Sequence, residues 1–301
     1  MPRFIVTHTT IYEYEYEAME SYSKVILSPL ETFCQGINST ELEIRPSVPF
    51  YSHRDYFGNL NYEFSVPFRH KHLEITSRSD VITYPPSLEP LKSNMKIKEA
   101  RQWFKENDLL FYDYLKPSYF VKTNGKVVHK FAERFLPDDK PIGEAILELN
   151  RSFTKEFKYK SGSTTINTPV EEVLEKKQGV CQDFAHSMIS ILRTAGIAAR
   201  YVSGYIESYN PNSANNLTGS EQSHAWLDVY LPERSWMGMD PTNNMASSEQ
   251  HIRVAVGRDF YDVSPVKGTF KGAGKQFLKV DVKVRRAETV NQKIQNLNQR
   301  E

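Results

Sequence analysis

The chain of 301 residues is long enough for a large buried core, and its 38 Lys and Arg stand against 37 Asp and Glu, so no charge excess selects nucleic acid, a membrane surface or another polyion. Two cysteines, Cys34 and Cys181, allow at most one disulfide and exclude a cysteine-stapled scaffold. Met1–His8 alternates apolar and polar residues where a secretory signal would need an apolar stretch, and no apolar run reaches membrane-spanning length, so the expected setting is cytoplasmic and reducing.

Residues 1 to about 83 read as strands. Ile11–Glu17 and Leu73–Thr76 alternate, and Phe57-Gly58-Asn59 marks a tight turn between aromatic-rich runs. Short alternating strands joined by turns imply an antiparallel β-sandwich. Pro85-Pro86-Ser87 then punctuates the chain, so the expected organisation is a β domain over 1–85, a second domain over 86–285 and a polar tail over 286–301.

From about residue 94 the period becomes helical. Ile142, Ala145, Ile146, Leu149, Phe153 and Phe157 form one amphipathic stripe. Thr168-Pro169-Val170-Glu171 reads as a capping box with proline at the first helical position, closed by Gly179. Cys181–Ala195 is apolar on nearly every side before Gly196 and reads as a buried central helix. Strand signals return at Ala199–Ile206, Ser223–Leu231, Ser235–Met239, Ile252–Val256 and Phe277–Val284. The fold class is therefore α+β, an N-terminal antiparallel β-sandwich followed by a buried helix packed on an antiparallel sheet. The polar stretch Asn210–Ser220 reads as a loop able to gate a cleft.

Three residues carry a possible chemistry. Cys181 begins the central helix, where unpaired backbone N–H groups and the helix dipole favour an anion. Most core cysteines are only small hydrophobes, so the thiol alone decides nothing. In His224–Leu231 strict alternation puts His224, Trp226, Asp228 and Tyr230 on one face and Ala225, Leu227, Val229 and Leu231 on the other. Asp228 lies four residues along the same strand, roughly 13 Å from His224, too far to orient it. A hairpin through Pro232-Glu233-Arg234 with an even-sum register brings Asp240 to the histidine face, although Asp240-Pro241-Thr242 also fits a plain strand-ending turn. Nucleophile, base and acid on neighbouring elements suit acyl transfer, with the Cys181 backbone N–H and a second donor holding the oxyanion.

Gly179-Val180-Cys181-Gln182-Asp183-Phe184-Ala185-His186 and Arg193–Tyr205 closely resemble the core of bacterial transglutaminase-like proteins, and His224-Ala225-Trp226 and Asp240-Pro241-Thr242-Asn243 resemble that family's second and third motifs. The leading β region and Gly257–Pro265 resemble its N-terminal domain and its segment after the core. The resemblance implies a papain-like transglutaminase core with a triad of Cys181, His224 and Asp240, acting on a peptide or protein amide without cofactor or metal. Nothing in the chain resembles a calcium site. Hydrolysis of a peptide or isopeptide amide is the leading expectation. Glutamine crosslinking, a non-catalytic binding module and a metal site of Cys181, His224 and Asp240 are the alternatives. Tyr205 and Trp226 are expected to border the substrate cleft, Gln182 and Asp183 to cap the helix, and His186 to serve a core hydrogen bond. Neither a nucleic-acid nor a membrane partner is expected, and oligomeric state is left open.

Overall fold

Alternation in the first third of the chain does produce strands: β1 (Arg3–Ala18), β2 (Glu20–Val25), β3 (Gln35–Arg45), β4 (Phe50–Arg54), β5 (Leu60–Val66) and β6 (His70–Thr83). The structure is a computed structural model and describes residues 1–207, 217–219, 223–232 and 235–287. The helical region follows with α1 (Ile97–Glu106), α2 (Asp108–Leu115), α3 (Lys126–Phe135), α4 (Ile142–Glu156), the short β7 (Lys158–Tyr159), α5 (Val170–Lys176), β8 (Gln178–Gly179) and α6 (Cys181–Thr194). Then come β9 (Ala199–Ile206), β10 (His224–Leu231), β11 (Ser235–Asp240), β12 (Met245–Ala246), β13 (His251–Gly257), α7 (Phe260–Val263), β14 (Val266–Lys271) and β15 (Gln276–Arg286).

The sandwich has sheets ordered β15-β1-β6-β3 and β14-β2-β5-β4, with Tyr14, Leu27, Phe64, Val66, Leu73 and Ile75 packed between them. This corrects two expectations. The chain returns to the β domain after the core, so a boundary at residue 85 divides the sequence but not the fold, and Phe277–Val284 belongs to the sandwich instead of the core sheet. Residues Phe4 to Tyr14 pair along β15 from Arg286 to Gln276, and β14 pairs along β2. Without these returning strands β1 and β2 would be open edges, each with a row of unpaired N–H and C=O groups. Alternation states that one face of a strand is buried and does not say in which sheet. Residues 288–301 of the expected tail and most of the Asn210–Ser220 loop lie outside the described residues.

In the core, α6 is surrounded. Phe184, Ala185, Met188, Ile189, Ile191 and Leu192 are buried among α3, α4, α5 and a five-stranded antiparallel sheet ordered β12-β11-β10-β9-β13. The α4 stripe buries Ile142, Ala145, Ile146, Leu149 and Phe153 as its spacing predicts. The α5 start differs from the expected box. Pro169 is the residue before the helix, Thr168 Oγ1 accepts from Thr165 N, and Glu171 turns away to accept from Val127 and Val128 N in the first turn of α3. Its end is also different: Lys177, at φ 49°, takes the left-handed position expected of Gly179.

The two regions are joined by carboxamides acting on the outer edge of β13. Gln35 donates from Nε2 to Arg253 O and accepts from Arg253 N, each at 2.8 Å. Asn59 donates from Nδ2 to Val256 O and accepts from Val256 N, again each at 2.8 Å. Two side chains thus take the place of a sixth strand. Replacing Asn59 by Leu should strand two buried backbone groups and destabilise the protein by about 2–4 kcal/mol, at about 1–2 for each. Urea denaturation measures this, and a loss below about 0.5 kcal/mol would show that the contact is dispensable.

Candidate active site

Cys181 is the first residue of α6, preceded by Val180 in extended conformation. The helix start is tied by Asp183, whose Oδ2 accepts from Val180 N at 2.8 Å and from Thr164 Oγ1 at 2.6 Å. Gly179 makes room for that return: a Cβ there would stand 2.8 Å from the Asp183 Cβ. The parallel pairing of Lys158–Tyr159 with Gln178–Gly179 brings Tyr159 beside the thiol. Burial and the neighbouring Cys181 and Asp183 push the Tyr159 phenol up to about 12, so it is a neutral donor at this mouth.

His224 opens β10 opposite Gly204 of β9. A side chain at Gly204 would meet Trp226, 2.5 Å from its ring and 2.2 Å from Ile252 O, so glycine lets the indole lie back under the imidazole. The two rings stack with centroids 6.0 Å apart. On β11 the ladder runs through Leu227↔Met239 in the even-sum register, which leaves Asp240 next in line on the histidine face. His224 Nε2 and Asp240 Oδ2 are 2.8 Å apart, and both side chains are fully buried.

Burial alone would lower the His224 pKa, but the Asp240 charge and hydrogen bond, with Cys181 nearby, raise it to about 10, so Nε2 is the donor. Burial likewise works against the Asp240 charge, and His224 and His251 overcome it to hold the carboxyl well below its ordinary value. The other His224 nitrogen, Nδ1, is buried and among the described residues has no hydrogen-bond partner. Cys181 is close enough to raise the basicity of the ring without meeting hydrogen-bond geometry. Gly219 also stands against this nitrogen, where an added Cβ would come within 2.7 Å. Asn243 holds that segment, accepting from Thr218 N at 2.8 Å while its Nδ2 donates to Asp240 Oδ2 at 2.7 Å.

The structure therefore brings Cys181, His224 and Asp240 together and places the two expected cleft residues elsewhere. Tyr205 points to the opposite face of β9, buried, with its hydroxyl 2.8 Å from His8 Nδ1 in the β domain. Trp226 is fully buried and faces a cavity of about 960 Å³ between the outer face of the core sheet and the segment Glu31–Gln35, away from the thiol. Alternation identified the face of Trp226 correctly, but at Trp226 that face meets Leu30 and Phe57 of the β domain. Asp228 lies on the same face under Arg200 and Arg253, bonded to Arg200 Nε at 2.8 Å and Arg253 Nη2 at 2.8 Å. His186 accepts from Phe260 N at 3.1 Å, and burial lowers its pKa to about 4. Of Gln182 and Asp183, the latter provides the cap.

Two site residues had no signal in the sequence, Tyr159 and His251, and Asn243 appeared there only as the last residue of the Asp240 motif with no role assigned. His251 Nε2 lies 3.2 Å from Asp240 Oδ2, and its Nδ1 accepts from Ser248 N at 3.1 Å. Among the described residues His224, Asp240 and His251 also offer three ligand atoms within 4.8 Å of one another. Both histidines present an N–H to the carboxylate, however, where a metal would need lone pairs.

Comparison with known proteins gives a consistent picture. The transglutaminase-like superfamily core matches residues 129–241, and the bacterial transglutaminase-like N-terminal region matches residues 4–82. An uncharacterized protein of Mycobacterium tuberculosis is 36% identical over 273 residues, 88% of this chain and 87% of its own. A Cytophaga hutchinsonii protein solved as a candidate cysteine protease shares the fold, with a TM-score of 0.75 at 19% identity over 96% of this chain and 91% of its own. A protein-glutamine gamma-glutamyltransferase of Pseudomonas aeruginosa is 35% identical over 91 residues, 29% of this chain and 14% of its own.

Linkage follows from these shifts. His224 keeps its proton to about pH 10 when folded against 6.5 as a free side chain, so its stabilising share is complete below pH 6.5 and is lost as pH rises through 10. The Asp240 share is present above its ordinary 3.8 and is lost as pH falls below that. By NMR the His224 ring should titrate near pH 10 in the native protein and distinctly lower in Asp240→Asn. An unchanged titration in the variant would show that the carboxylate does not set the charge of the ring.

Proposed function

The chain belongs to the transglutaminase-like superfamily, and from that membership and the site geometry we propose that it is a cysteine-dependent acyl-transfer enzyme acting on amide bonds of peptides or proteins. The observation that carries this reading is the His224 ring, with Nε2 on Asp240 and Nδ1 left for Cys181. A purely structural histidine in so buried a place would be bonded at both nitrogens.

In this reading the Cys181 proton already rests on His224 Nδ1, as the raised basicity of the ring favours, and the resulting thiolate attacks the amide carbon. The carbonyl oxygen becomes an oxyanion facing the first-turn N–H groups of α6, with the Tyr159 hydroxyl beside the thiol as a side-chain donor. The imidazolium then returns its proton to the nitrogen of the leaving amine, the C–N bond breaks, and a thioester remains on Cys181. Water activated by the same ring hydrolyses the thioester and restores the thiol. Asp240 keeps Nε2 protonated throughout, so Nδ1 alone exchanges protons. Both cysteines are free, and the mechanism requires this of Cys181.

Hydrolysis of a peptide or isopeptide bond is the reading we favour. Similarity to the Pseudomonas glutamyltransferase supports a second one, in which an amine resolves the thioester. A glutaminyl peptide offered with a labelled primary amine separates them: released acid or amine-free product supports hydrolysis, and incorporated label supports transfer. Cys181→Ala should lower either product by at least about a thousandfold. Turnover within about tenfold of the native protein in that variant would overturn the assignment.

A further inference from the structure

We infer that His251 is a positioning residue for the triad, acting on His224 through the Asp240 carboxylate. The inference rests on the acyl-transfer reading above and adds a residue from outside the matched family core, which ends at residue 241.

The direction of the hydrogen bonds carries it. Ser248 N can only donate, so His251 Nδ1, 3.1 Å away, accepts, and the neutral ring must keep its proton on Nε2. That N–H points at Asp240 Oδ2 from 3.2 Å. The same oxygen receives His224 Nε2 at 2.8 Å and Asn243 Nδ2 at 2.7 Å. The other oxygen, Oδ1, receives Thr242 N at 2.9 Å and Asn243 N at 3.2 Å, both from its own turn. Those turn bonds and Asn243 all come from residues next to Asp240 in sequence. His251 comes from the far edge strand β13, beyond β10 and β9 in the sheet, and among the described residues is, besides His224 itself, the donor that braces the carboxylate from outside its own loop.

Trp226 packs against both imidazoles, stacked on His224 and edge-on to His251 with centroids 5.2 Å apart. The groups facing Asp240 are thus two ring N–H donors, one amide and two backbone amides. Removing one donor to a buried carboxylate makes its protonation easier and frees it to rotate away from His224.

The test uses iodoacetamide as the probe, because it reads Cys181 without requiring the natural substrate. Native protein, His251→Leu, His251→Gln, Asp240→Asn and the Asp240→Asn/His251→Leu double variant are compared for the Cys181 carboxymethylation rate across pH. Far-UV circular dichroism and urea midpoints establish that each is folded. His251→Leu should slow the reaction at neutral pH by about tenfold, as expected for losing one hydrogen bond to a charged group, and should move the acid limb of the profile to higher pH. His251→Gln, which carries an N–H donor of similar reach, should return the rate to within about threefold of native. The double variant should match Asp240→Asn alone, because His251 acts only through that carboxylate. Additive losses, or a folded His251→Leu with native rate and profile, would overturn the inference. A native rate no faster than free cysteine defeats the underlying reading and the inference with it, whereas a fast native rate unchanged in His251→Leu defeats the inference alone.

Discussion

A carboxylate with no exposure to solvent is stable only if its environment supplies the hydrogen bonds that water would have made, and this structure is organised around one such group. Asp240 accepts from His224, His251, Asn243 Nδ2 and the backbone N–H groups of Thr242 and Asn243. The turn supplies the backbone donors and β10 supplies His224. The same bonds that make the buried charge tolerable also determine which nitrogen of His224 carries a proton. Burial and positioning are therefore parts of one arrangement, and the thiol at the start of α6 receives a ring whose orientation it has no part in setting.

This dependence gives the β domain a physical role. Strand β13 lies at the edge of the core sheet and begins with His251, yet its outward backbone groups at Arg253 and Val256 are satisfied by Gln35 and Asn59 of the sandwich. The sandwich in turn closes only when β14 and β15 return from beyond the core. A contact far from Cys181 along the chain thus reaches it in few steps: sandwich carboxamide, edge strand, His251, Asp240, His224. Such a frame places the reacting groups on strands and a helix, where side-chain positions are better fixed than on a loop.

Much of this was legible in the sequence, for identifiable reasons. The α4 stripe and the all-round apolar α6 follow from spacing, whereas alternation only allowed the even-sum register of β10 and β11 beside a plain strand-ending turn, and the ladder itself selects it. Cys181, His224 and Asp240 each sit at an element boundary, where a motif and a period change coincide. What was not legible depends on tertiary neighbours. Trp226 and Tyr205 look alike as aromatic residues near the histidine, but only the docked sandwich shows that one faces the cavity and the other reaches His8. Lys177 holds a left-handed conformation that sequence assigns to glycine, while Gly179, two residues later, makes room for the Asp183 cap. His251 and Tyr159 come from strands remote from the motifs, with no spacing to connect them to Cys181.

The most direct test of the central arrangement is to expose the protein to peptides bearing a thiol-reactive electrophile and to locate the label by mass spectrometry, with Cys34 as the internal control. Label confined to Cys181 in the native protein, and lost when His224 is replaced by Ala, is the expected result. Equal labelling of Cys34 and Cys181, or undiminished labelling of Cys181 without the imidazole, would contradict it.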